Sequence, residues 1–235
     1  MQIETLVIIH DTLAVLTVPL SAALGIWYAP KYGFRRKKGA SYALMMMFLL
    51  LAFTYACKLI PEWLGITGAL NSYRSFLFAP LFALMLSRKW NISALRGVDF
   101  MTPILFFLRA VVMVGCTLFG CGLAMPCDWG IYSPNMGCRV FPSDLIDLLG
   151  NVVAGVIALV HARMLRYKGN GRIFALAMYI VGVIRLFLQF GTTEMWGIRG
   201  FNDESLYSIV SIIMAIVIYR NWQNNEKTNN KTEEQ

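Results

Sequence analysis

The chain is short of charge. Of its 235 residues only 14% are Asp, Glu, Lys or Arg, while 57% are hydrophobic; a soluble domain carries about 25% charge. With a mean hydropathy of +0.58, the balance excludes an ordinary soluble enzyme and points to a bilayer. No Lys or Arg precedes the first apolar stretch, "MQIETLVIIHDTLAVL", and no small-residue cleavage site follows it. The first helix therefore reads as a retained span and not as a signal peptide. Four of the five cysteines fall between Gly115 and Asp144, but this stretch contains no CxxC pair and no histidine. The intervals between Cys116, Cys121, Cys127 and Cys138 do not suit structural zinc. A loop disulfide between Cys127 and Cys138 stays open, and Cys116 and Cys121 read as small buried residues. A thiol nucleophile at Cys121 or Cys127 would have only His10 to activate it. Pro126, Gly130, Pro134 and Asn135 predict a compact loop lying on the membrane surface. The sequence gives no sign of a metal or of a soluble cofactor.

What is present in quantity is apolar sequence. Seven segments, at about 6–28, 40–60, 73–88, 101–122, 144–166, 172–191 and 204–221, predict an all-α membrane protein of seven transmembrane helices. The third is marginal in length and contains Pro80, which predicts a broken or tilted helix. Lys31, Arg35, Arg36, Lys37, Lys38, Arg88, Lys89, Arg96, Arg163, Arg166, Lys168, Arg172, Arg220, Lys227 and Lys231 fall on one side of this arrangement. Only Lys58, Arg74, Arg139 and Arg199 fall on the other. The positive-inside rule then places the N-terminus outside and the C-terminus in the cytoplasm. All six tryptophans fall near predicted helix ends or in outer loops, where their rings favour the interface. The net charge of +8 reads as an anchor to the cytoplasmic leaflet and not as a nucleic-acid site. Residues 1–222 form the membrane domain in this reading, and the polar tail 223–235 is expected to be disordered.

Two arginines belong to no loop: Arg109 in the middle of the fourth segment and Arg185 in the sixth. A central arginine costs at least about 2.5 kcal/mol, so each should face the bundle interior with a partner or an anionic ligand. The fifth segment opens with Asp144, Asp147 and Asn151, which share one helix face. A structural pair of Asp147 with either arginine is one reading. The other is a polar, outward-opening cavity in which guanidinium groups hold a lipid phosphate bidentately. His10 and Asp147 are then the candidate bases, with Tyr179 and Gln189 near Arg185.

The order "VDFMTP", "GCTLFGCGLAMPCDWGI", "FPSDLID", "YIVGVIRLFLQF" and a final helix resembles the prolipoprotein diacylglyceryl transferases. Gly115, Leu118, Trp129, Gly130, Pro142, Leu145, Tyr179, Gly182 and Arg185 match that family's motifs. Asp147 stands where the family has Glu, and Lys58 stands where it has Arg. The resemblance implies a bacterial plasma-membrane enzyme that moves diacylglyceryl from phosphatidylglycerol to the lipobox cysteine of a secreted lipoprotein precursor. The matches put Arg185 and Asp147 in catalysis and Tyr179, Gly182, Lys58, Trp129 and Gly130 in substrate binding, while His10 joins catalysis as an outer candidate base and Arg109 joins binding by its place in the fourth segment. The chain departs from the pattern at Met113 (signature Arg), Cys116 (Asn), Cys121 (Glu) and Gln189 (Glu), and it has no His-Gly-Gly turn. Arg109, one turn before Met113 on about the same face, is the candidate replacement for the missing arginine. The departures favour a second reading, a lipid- or lipoprotein-binding homologue without catalysis. A small-molecule transporter has only the irregular third helix in its favour, and the sequence shows no inverted repeat.

Overall fold

The structure is a computed structural model that describes residues 3–63, 76–120, 124–164, 169–191 and 203–233; side chains are described for these except at 3, 57–63, 203–204 and 221–233. The described residues form helices α1 (Ile3–Tyr28), α2 (Arg36–Trp63), α3 (Ala79–Trp90), α4 (Ala94–Phe119), α5 (Ser143–Met164), α6 (Arg172–Leu188) and α7 (Asp203–Glu233). Five of them, α1, α2, α4, α5 and α6, are long and apolar enough to cross a membrane. The protein is thus a mostly helical, multi-pass membrane protein. The twelve residues of α3 reach only about 18 Å at 1.5 Å per residue, short of roughly 30 Å of hydrocarbon. The apolar part of α7, Ser205–Arg220, is also below spanning length.

Pro80 does not kink α3 from within, as its place in the apolar run suggested. It lies in the first turn, where a missing N–H costs nothing. The backbone of α7 likewise continues as helix to Glu233, into the tail whose composition predicts disorder. Extending an existing helix avoids the nucleation cost that a separate polar segment would carry.

Helix α4 is the hub, packed against α1, α3, α5 and α6, while α7 packs chiefly on α6. Of its most apolar window 56% is buried, against 17% for α1, so α1 presents most of its surface outward. At the Lys/Arg-rich end, Tyr28, Tyr32, Phe34 and Tyr42 surround Phe100 of α4 with ring centroids 5.3–6.1 Å apart.

The same end holds a carboxylate whose role the sequence did not disclose. Asp99 of α4 is fully buried. It accepts the backbone N–H groups of Gly171 at 2.9 Å and Phe174 at 3.0 Å, so it caps the start of α6 from a neighbouring helix. Tyr32 donates to its backbone carbonyl at 3.1 Å. Asp99 thereby fixes where α6 starts, and with it the depth of Arg185. Asp99→Ala is expected to lower stability by about 1–3 kcal/mol, since buried N–H donors lose their acceptor. Asp99→Asn, which keeps one acceptor oxygen, should lose less, and thermal melting in detergent compares the two.

The fold is not purely helical. Between α4 and α5 lie strands β1 (Pro126–Ser133) and β2 (Cys138–Val140), an antiparallel hairpin where the turn residues predicted only a compact loop. Its register slips between Pro126 and Ile131, both of which pair with Val140. At this bulge a side chain on Gly130 would collide with the Val140 carbonyl and the Cys127 sulfur, so glycine is required by close backbone approach. Backbone bonds from Met125 to Gly191 and from Phe141 to Met125 tie the hairpin to the end of α6. Cys127 and Cys138 are free thiols.

Candidate active site

Beneath the hairpin, α4, α5 and α6 each bring a polar side chain to one buried point. Arg109, Asp147 and Arg185 are 4%, 5% and 7% exposed. Asp147 Oδ2 accepts from Arg109 Nη2 at 2.8 Å and from Arg185 Nη1 at 2.6 Å. Its other oxygen accepts from Asn151 Nδ2 at 3.0 Å, and the same amide donates to the Asp147 carbonyl at 2.7 Å. Gln189, one turn beyond Arg185, donates to the Arg185 carbonyl at 3.0 Å. The i, i+3, i+7 face of α5 is real in this sense: Asp147 and Asn151 act together, while Asp144 is only half-buried.

The structural pair between Asp147 and an arginine is therefore made, and made twice. One carboxylate faces two guanidinium groups, so these three side chains carry one excess positive charge. A buried pair owes much of its worth to the desolvation cost that each partner would suffer alone. Here the shared carboxylate holds two cations from different helices together.

His10 lies at the same end of the bundle on α1. Its Nδ1 is 3.0 Å from Asp11 Oδ1, and its ring also stands within hydrogen-bonding reach of Cys116. The two helices can meet there because residue 115 is glycine: a Cβ at Gly115 would fall 2.9 Å from the His10 Cα. Cys116 follows Arg109 by seven residues on α4, which places it on the same face about 10 Å farther along. Sequence reasoning did not foresee this His10–Cys116 contact; the signal was the Gly115–Cys116 pair on a helix facing an imidazole. Gly115→Ala is expected to push α1 away from α4, cost about 1–3 kcal/mol and separate His10 from Cys116. A drop in melting temperature, together with loss of a His10→Cys crosslink to Cys116, would report it.

The remaining expected residues are dispersed. Trp129 on β1 is 70% exposed and meets Phe141 edge-on at 5.6 Å. Gly130 supports the bulge described above. Gly182 faces α7, where a side chain would strike Ser211 Oγ, so it serves small-residue packing between helices. Tyr179 points away from the arginines and lines a separate cavity with His161 and Arg172. The Lys58 side chain and Cys121 lie outside the described residues.

Residues 39–220, spanning α2 to the end of the apolar part of α7, match the family model of prolipoprotein diacylglyceryl transferase. The chain belongs to this family. A curated relative, the phosphatidylglycerol–prolipoprotein diacylglyceryl transferase of Finegoldia magna, is 24% identical over 176 residues, 73% of this chain and 69% of that protein. No solved structure matches. Membership makes the chain a membrane protein of a transferase family of lipoprotein biosynthesis. The family's diacylglyceryl transfer also gives the buried arginine pair a chemical context.

Proposed function

We propose that the chain transfers diacylglyceryl from phosphatidylglycerol to the lipobox cysteine of a secreted lipoprotein precursor, at the outer leaflet of a bacterial plasma membrane. The observation that carries this is the convergence of Arg109 and Arg185 on Asp147 in the buried half of the bundle beneath the hairpin. In this reading residues 1–222 cross the membrane seven times, with the N-terminus outside and the C-terminus in the cytoplasm. The charge asymmetry of the loops supports that orientation.

The reaction joins the substrate's cysteine sulfur to the glyceryl carbon and breaks the bond from that carbon to the phosphate oxygen. The bonding pair leaves with phosphoglycerol, so negative charge grows on the departing phosphate. A guanidinium carries five N–H donors in a fixed fork, which lets one group hold Asp147 and face a phosphate at once. Fixed donors aimed at developing charge lower the barrier without having to reorganise. His10 takes the thiol proton, with Asp11 at Nδ1 selecting the tautomer that leaves Nε2 as acceptor. Asp147 has its oxygens committed to arginine and asparagine donors and serves as a positioning residue. Lys58 and Trp129 complete the substrate-binding set implied by the family motifs, Gly182 and Gly130 act through packing, and Tyr179 faces the cavity at the other end of the bundle.

The test is incubation of the purified protein with phosphatidylglycerol and a lipobox peptide. A peptide heavier by one diacylglyceryl group, detected by mass spectrometry and absent with Arg185→Ala, supports the reading. Retained phosphatidylglycerol with no adduct would instead support a lipid-binding homologue without catalysis, which Met113, Cys116 and Gln189 favour by standing in the place of the family's polar residues.

A further inference from the structure

At the other end of the bundle, α5, α6 and α7 line a cavity of about 510 Å³, within the usual size of a ligand site. His161 near the end of α5, Arg172 in the first turn of α6 and Arg220 on α7 supply its polar groups. Along one face of α6, Ala175 and Leu176 continue the wall, met from α7 by Ala215 and Ile216. The two alanines leave the space, and no Asp or Glu is among the described lining residues. The Arg172 guanidinium lies 5.6 Å from the Tyr219 ring, a cation–ring contact that orients it. His161 Nε2 is buried and has no hydrogen-bond partner among the described residues, a costly state for a polar atom that a ligand would relieve.

We propose that this cavity binds an intact anionic phospholipid, with its phosphate between Arg172, Arg220 and His161 and an acyl chain along Leu176 and Ile216. Two guanidinium groups beside a histidine, with no carboxylate among the described lining residues, suit an anion. The apolar wall running away from the charged end requires that the anion carry a hydrophobic chain, which free phosphate lacks. Along α5, His161 is fourteen residues from Asp147, about 21 Å, so the lipid held here is not the one that reacts beneath the hairpin. Its phosphate ties α5, α6 and α7 together, and α7 otherwise rests chiefly on α6. The bound lipid is thus a structural staple for the last helix.

Native mass spectrometry of the full chain in nonionic detergent, with equal phosphatidylglycerol and phosphatidylcholine, tests this by counting retained lipids. At roughly 1 kcal/mol per basic residue near an anionic lipid, Arg172→Gln with Arg220→Gln should weaken retention of one phosphatidylglycerol about thirtyfold. Phosphatidylcholine should not replace it. Arg185→Gln should abolish peptide modification yet keep this lipid, which separates a failure here from a failure of the transfer reading. Ile216→Trp, at a partly exposed position of the apolar wall, should also expel the lipid while melting like the parent in lipid-free detergent. Unchanged retention in either variant, or displacement of the lipid by millimolar inorganic phosphate, would overturn the proposal.

Discussion

Asp147→Ala is expected to destabilise the protein more than any other single substitution in the bundle, by about 3–5 kcal/mol. The reason is the two guanidiniums that would remain. Arg109 Nη2 and Arg185 Nη1 both donate to Asp147 Oδ2, and both arginines are more than nine-tenths buried. Removing the carboxylate leaves two like charges facing each other away from water, which is worse than losing one ordinary pair. Arg109→Met should cost less, because it leaves Arg185 and Asp147 as a one-to-one pair of opposite charge. Asp147→Asn should fall between them, since it keeps an oxygen acceptor but no charge. A double-mutant cycle of Arg109→Met with Asp147→Asn, followed by denaturant unfolding in detergent, should give a large coupling energy because the two groups touch. If Asp147→Ala melted at the parent's temperature, the shared-carboxylate geometry would be refuted.

The helices were legible because each apolar run is long and bounded by charge or turn residues; the predicted segments lie within or close to α1 through α7. The two buried arginines and the Asp147–Asn151 face were legible for a related reason, since charge in an apolar run has few places to go. That both arginines choose the same carboxylate was not, because the relative depth of α4 and α6 depends on how the helices pack. Asp99 partly sets that depth, and it went unread because it lies just before the fourth apolar segment, 101–122. The periodicity gave no warning that its partners would be backbone N–H groups of α6. Tyr179 and Gly182 show the limit of motif matching. At 100° per residue, Tyr179 is about 120° and Gly182 about 60° around α6 from Arg185. A motif can therefore be intact along the chain while its members serve different surfaces. The hairpin was hidden because β1, "PCDWGIYS", contains Pro and Gly and lacks clean alternation; its pairing depends on a bulge that only the folded geometry reveals.

Arg185→Ala should lower the rate of peptide modification by about 10²–10³-fold, the usual consequence of removing one fixed donor from developing charge. Because Arg109 and Asp147 then remain as a neutral pair, the variant should stay folded, and the loss should appear mainly in kcat. Arg185→Lys keeps the charge but replaces a planar fork with a point donor, so it should recover only part of the rate. Arg109→Ala carries the more discriminating result. If Arg109 stands in for the signature arginine whose place Met113 occupies, its removal should match the Arg185→Ala loss within about tenfold, a difference of 1.4 kcal/mol. If instead Arg109 only balances Asp147, Arg109→Ala would lower the melting temperature and leave kcat at the parent value. Restoring the family's arrangement with Met113→Arg in the Arg109→Ala background separates the two outcomes again. Position 113 is one turn along on about the same face of α4 and is buried, so a guanidinium there can reach the same cavity only if the phosphate lies toward His10. Recovery of activity in that variant would place the lipid phosphate between Arg185 and the His10 end of the site, where the thiol must be deprotonated.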